Sequence, residues 1–193
     1  MKKYLLIAIA ALVAVATISC NKDKEVTKDQ DETSDYTKLV INEVKAVTVG
    51  DETDIDKFVE FYNTGDKPIS LEGVVIKRTD EKNKTSDVWT GLSTEKVPAK
   101  GFFVIQGTKN SGDHSLSSGV SAAKGVKLEV FDPAGNSITS VQHGDPADAT
   151  VEIAISTGIW ARIPDGGAWK NVTNATPGKA NDATGAQDDA QLK

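Results

Sequence analysis

From Leu39 onward, apolar and polar positions alternate in short runs, broken by clusters of turn formers. Leu39 to Val47 (LVINEVKAV) is β-branched and alternating, which predicts a first strand. Phe58 to Asn63 predicts a second, rich in aromatic and β-branched residues. Asn63 to Pro68 (NTGDKP) is a dense turn signal, and Leu71 to Arg78 predicts a third strand after it. Val88-Trp89-Thr90 reads as a short edge strand, and Phe102 to Ile105 as the fourth strand. Val126 to Phe131 and Ser137 to Gln142 flank the hairpin signal Asp132-Pro133-Ala134-Gly135-Asn136. Thr157 to Ile163 is the last long strand expected, and Pro177-Gly178 closes the domain.

Beyond residue 19, no window of ten or more residues sustains a helical period. Short strands between Gly, Pro and Asn turns predict an all-β antiparallel sandwich or barrel. A domain of this size buries roughly two-thirds of its unfolded surface, which suffices without disulfides.

The first nineteen residues follow another pattern. Lys2 and Lys3 precede an apolar and small-residue run from Leu5 to Ile18, then Ser19. This predicts a signal peptide over residues 1–19. Cys20, the sole cysteine, follows at once, so no internal disulfide can form. Thr17-Ile18-Ser19-Cys20 resembles a bacterial lipobox, which implies a lipidated Cys20 and stable attachment to a membrane. An ordinary cleaved signal with an incidental cysteine is the alternative.

Residues 20–37 are charged and almost free of apolar side chains, which predicts a flexible acidic tether. Acids soon after Cys20 (Asp23, Glu25, Asp29, Asp31, Glu32) resemble the export signal of surface lipoproteins, implying an outer-membrane protein exposed at the surface. A plain solvated linker explains them equally well. Residues 182–193 are polar and acidic without a period, and predict a disordered tail.

The formal net charge is −6, and loss of Lys2 and Lys3 with the signal takes it to −8. An acidic chain repels phosphate backbones, so no nucleic acid partner is expected.

Four motifs occur in order. They are Ile41-Asn42-Glu43-Val44; Phe58 to Gly65 with Ile69 to Gly73; Val97 to Ile105; and Arg162 to Gly166, running through Trp169 to Thr176 to Asn181. Together they resemble the lamin tail domain family in its bacterial form, over about Lys38 to Asn181. The resemblance implies an immunoglobulin-like antiparallel β-sandwich over residues 38–181. It also implies a noncatalytic accessory or interaction module.

Glu43 and Glu60 match acidic positions of the family motif. A carboxylate among apolar strand neighbours needs donors. The structural expectation is that each accepts backbone N–H groups from a nearby loop, or pairs with Arg162. A general acid/base pair is the sharper reading, and nothing else in the chain supports chemistry. Asn42 and Asn63 are expected at strand ends, closing turns. Arg162 is read as a strut holding the closing loop against a carboxylate, Glu43 or Glu60. Asp165-Gly166-Gly167 and Pro177-Gly178 need tight turns, Asn181 ends the motif, and Trp169 packs that segment onto the sandwich.

His114 and His143 fall in predicted polar loops, and no catalytic motif is present, so no enzyme and no cofactor is expected. Asp51, Glu52, Asp54 and Asp56 crowd one loop, but their spacing fails the EF-hand pattern, so no metal is assigned there. Trp160 is expected in the core. Trp89 is the tryptophan expected to be exposed, as a ligand contact. The partner expected is a protein or, alternatively, a glycan.

Overall fold

The computed structural model describes residues 34–47, 57–107, 114–148, 150 and 157–193. One unit spans Thr33–Lys193. Its strands are β1 (Leu39–Lys45), β2 (Phe58–Asn63), β3 (Ile69–Ser70), β4 (Val75–Thr79), β5 (Thr85–Thr90), β6 (Lys96–Val97), β7 (Phe102–Gln106), β8 (Val126–Phe131), β9 (Ser137–His143), β10 (Ile159–Ile163) and β11 (Ala168–Asn171). A five-stranded sheet has the order β11-β10-β1-β2-β7, and a four-stranded sheet the order β5-β4-β8-β9. β3 and β6 form a separate two-stranded ribbon. The pairings are antiparallel.

Period-two alternation builds the core between the sheets. Ile41 and Val44 of β1, Val59 and Phe61 of β2, Ile105 of β7 and Trp160 of β10 come from the larger sheet. They pack with Ile76 of β4, Leu128 and Val130 of β8 and Val141 of β9. The fold is thus the all-β, immunoglobulin-like sandwich that the motifs imply.

β1 carries the irregularity that matters most. Its register with β2 slips between Ile41 and Glu43, so Asn42 is the extra residue of a β-bulge. Asn42 therefore lies within β1, not at the strand end expected for it. The bulge also sets Glu43 directly opposite Glu60.

Three expectations change. The third strand does not run from Leu71 to Arg78. Leu71 to Val74 is a tight turn closed by Val74 N–H donating to Leu71 O at 3.0 Å, and Gly73 there takes φ +72°. β3 precedes this turn and β4 follows it, while Leu71 and Val74 stay buried as turn residues. The tether ends sooner than expected. Tyr36–Lys38 is a 3₁₀ turn capped by Asp35, Tyr36 packs against the core, and Ser34 Oγ accepts from Ser70 N–H at 2.9 Å.

The third change is at the other end. Residues 182–193 are not disordered but docked. Gln187 pairs with Asn171 of β11, and Leu192 bridges to His143 of β9. One buried leucine and free edge-strand hydrogen-bonding groups suffice to hold a polar segment that has no period of its own. β11 was not foreseen as a strand, because Trp169 read as a packing residue.

Candidate functional site

Alternation along β2 points Val59 and Phe61 inward and Glu60 to the outer face of the larger sheet. Glu43 and Glu60 are nonetheless fully buried. The cover is the closing segment, residues 164–181, which runs from the turn after β10 past β11 and across that face. Val172 and Ala175 of this segment pack with Ile159 and Ala161 of β10.

The two carboxyl groups hold the segment by its backbone. Thr176 N–H donates to Glu43 Oε1 at 3.0 Å and Oε2 at 3.1 Å. Gly178 N–H donates to Glu60 Oε2 at 2.6 Å. Pro177 between them has no N–H to offer. Gly178 takes φ +75°, the left-handed conformation that favours glycine.

Asn42 does the same one turn earlier. Its Oδ1 accepts from Gly166 N–H at 3.0 Å, and its Nδ2 donates to Asp165 Oδ1 at 3.0 Å and Glu60 Oε1 at 3.3 Å. Consecutive residues of a regular strand point to opposite faces. Asn42 and Glu43 both reach the closing segment because the bulge turns them to one side.

Asn181 locks the far end. Its N–H donates to Asp165 Oδ1 at 3.0 Å, and its Nδ2 donates to Asn42 O at 3.2 Å and Arg162 O at 2.9 Å.

Arg162 is a strut, but not against a carboxylate. Its Nε donates to Ile41 O at 2.8 Å and its Nη1 to Gly167 O at 2.7 Å. The guanidinium lies over the Trp169 ring at 4.7 Å. Ile41 pairs with Phe61 of β2, but the pairing of β1 with β10 stops at Glu43, so the Ile41 carbonyl lies beyond that ladder and becomes the target. Asn63, at the end of β2, closes its turn as expected. Its Oδ1 accepts from Gly65 N–H at 2.8 Å, and its Nδ2 faces the carbonyls of Lys67, Pro98 and Val97 at 2.7, 3.1 and 3.3 Å. Replacing this buried hub, Asn63→Ala, is expected to cost about 2 kcal/mol, read as a lower urea midpoint with an unchanged slope.

Burial pushes Glu43 up to about 7 and Glu60 up to about 8, against the lowering effect of the bonds they accept. Nearby negative charge adds to the rise: Asp165 at Glu43, and Glu43 and Asp165 at Glu60. Hydrogen-bond geometry agrees. The Thr176 hydroxyl lies 3.1 Å from both Glu43 Oε2 and Asn181 Oδ1. It has one proton to give. A protonated Glu43 donates to Thr176 Oγ1, which then donates to Asn181, and both contacts are satisfied. The carboxyl layer therefore acts as a hydrogen-bonding cement between the sheet and the closing segment.

Trp89 is not an exposed ligand contact. It is 4 % exposed, edge-to-face with Phe61 at 6.0 Å and 5.1 Å from His114. The reason is a bulge: Ile76 pairs with Trp89 and Lys77 with Asp87, which leaves Val88 extra. Val88 and Trp89 are consequently both buried. His143 is not in a polar loop either. It ends β9, buried against Trp160 at 4.5 Å. Its partner Asp189 was missed, because nothing in a polar tail singles out one aspartate.

The acidic loop of residues 51–56 lies outside the described residues, as does Cys20. Among the described residues, no group of three or more His, Cys, Asp or Glu side chains is placed to hold a metal ion.

The lamin tail domain family model matches residues 32–145. The chain belongs to the lamin tail domain family, a family of immunoglobulin-like interaction modules. The match takes in β1 to β9 and stops before the closing segment. No curated protein matches the chain.

Proposed function

We propose that this is a lipid-anchored envelope protein, carried at the cell surface on Cys20, whose sandwich binds protein partners without catalysis. Family membership supports an interaction role. The observation that favours protein over glycan is the placement of the tryptophans. Trp89 and Trp160 are buried, and Trp169 lies against the core under Arg162. A sugar-stacking platform needs exposed aromatic faces. The large hydrophobic side chain that stands exposed among the described residues is Leu92 instead.

The anchor rests on the sequence alone, on Cys20 directly after the apolar run and before a charged stretch. Metabolic labelling with a fatty acid tests it. The wild-type chain takes label and Cys20→Ala does not; a labelled Cys20→Ala variant contradicts the assignment. For the partner, crosslinking on intact cells is expected to capture envelope protein while a glycan array stays blank. Array hits with no captured protein would establish the alternative, a carbohydrate-binding accessory module of a polysaccharide-processing system.

A further inference from the structure

Residues 187–193 occupy the free edges of both sheets at once. Gln187 and Asn171 exchange backbone hydrogen bonds at 2.9 Å, on the outer edge of β11. Lys193 and Gln142 exchange a pair at 2.8 Å, and Gly144 N–H donates to Gln191 O at 3.0 Å, on the outer edge of β9. Between these two pairings lie a charged contact and an apolar one. Asp189 Oδ2 accepts from Asn171 Nδ2 at 2.5 Å and faces His143 Nε2 at 3.2 Å. Leu192 enters the core, 8 % exposed.

The fit is incomplete. His143 and Asn171 are 1 % and 4 % exposed, yet His143 Nδ1 and Asn171 Oδ1 lack a partner. With Nε2–H directed at Asp189, both are acceptors wanting a donor. Each such group weakens the docked state. The anchoring is also thin, since Gln187, Asp188, Ala190 and Lys193 are exposed. Segments with few buried apolar contacts open at low free-energy cost.

We propose that residues 187–193 are a displaceable strap over a strand-binding edge. The ligand this edge takes is an extended segment of a partner protein, with an aspartate three residues before an aliphatic side chain, as Asp189 precedes Leu192. The partner strand adds backbone pairing to β9, its carboxylate meets His143 and Asn171, and its aliphatic side chain replaces Leu192. A side-chain donor beside that carboxylate satisfies the two unpaired acceptors and lets the partner outcompete the strap. The inference rests on the reading of the domain as a protein-binding module and names its surface.

The test uses the full chain and a fluorescein-labelled synthetic heptapeptide, Gln187 to Lys193. A tethered segment competes at millimolar effective concentration, so the wild-type chain binds the free peptide weakly. A full-chain Asp189→Ala/Leu192→Ala variant loosens its own strap, and is expected to bind the peptide at least about tenfold more tightly in fluorescence anisotropy. Peptides carrying either alanine lose that gain. Equal affinity for wild type and variant, or for all three peptides, overturns the proposal. Hydrogen exchange on the unmodified chain gives an independent reading. The strap-paired amides of Gln142, Gly144, Asn171 and Gln187 exchange at least about tenfold faster than those of Val59 and Phe61 in β2. Equal protection overturns the proposal. Crosslinking on cells reports a protein partner wherever it binds, so a blank peptide assay beside a captured partner condemns the edge and spares the wider reading.

Discussion

Raising the pH from about 5 to about 8.5 lowers the unfolding free energy of this domain by roughly 3–6 kcal/mol. Two carboxyl groups produce the effect. Glu43 is raised to about 7 and Glu60 to about 8 in the folded chain, from an ordinary 4.5. A raised acid holds its proton in the folded state after the unfolded chain has released it. Its contribution is therefore complete below about 4.5 and is lost as pH rises through 7 and 8. The physical cause is register. Glu43 and Glu60 face each other across antiparallel strands, where two negative charges are destabilising, and the closing segment removes the water that would screen them. Glu60→Gln cannot ionise, so its stability falls about half as steeply. Urea unfolding at pH 5, 7 and 8.5 measures both curves. A wild-type stability that rises over this range contradicts the account.

Arg162→Ala is expected to destabilise the domain by roughly 3–4 kcal/mol, lowering the melting temperature by about 10 °C. The substitution removes charge-assisted donors from the carbonyls of Ile41 and Gly167, and the cation from the Trp169 face. The first contact ties β10 to β1, and the other two tie the closing segment to β10. Arg162→Lys restores little, because an ammonium cannot span two carbonyls and stack on an indole at once. An unchanged melting temperature for Arg162→Ala would sink the strut assignment.

Much of this site was legible before the fold was in view. Glu43, Glu60 and Asn63 are polar residues inside apolar alternation, and burial obliges such groups to find partners. What each partner would be was not legible. Thr176 meets Glu43 from 133 residues away, and Gly178 meets Glu60 from 118. Pairing over such separations is set by sheet order, which local pattern does not encode. Bulges account for two further differences. The slip after Ile41 placed Asn42 mid-strand. The slip after Ile76 buried Trp89 next to Val88. An alternating pattern carries no mark of the residue at which it will slip. The strap over β9 and β11 was hidden for a simpler reason: Leu192 is a single apolar residue, and one point has no period.

The outer-face carboxyl layer serves structure, and its burial holds the protons of Glu43 and Glu60 well above the pH at which a free glutamate releases them. Carboxyl-carbon chemical shifts of Glu43 and Glu60, followed by NMR from pH 4 to 9, test it most directly. Apparent midpoints near 7 for Glu43 and near 8 for Glu60 are expected. Both groups titrating near 4.5, as free glutamates do, would contradict it.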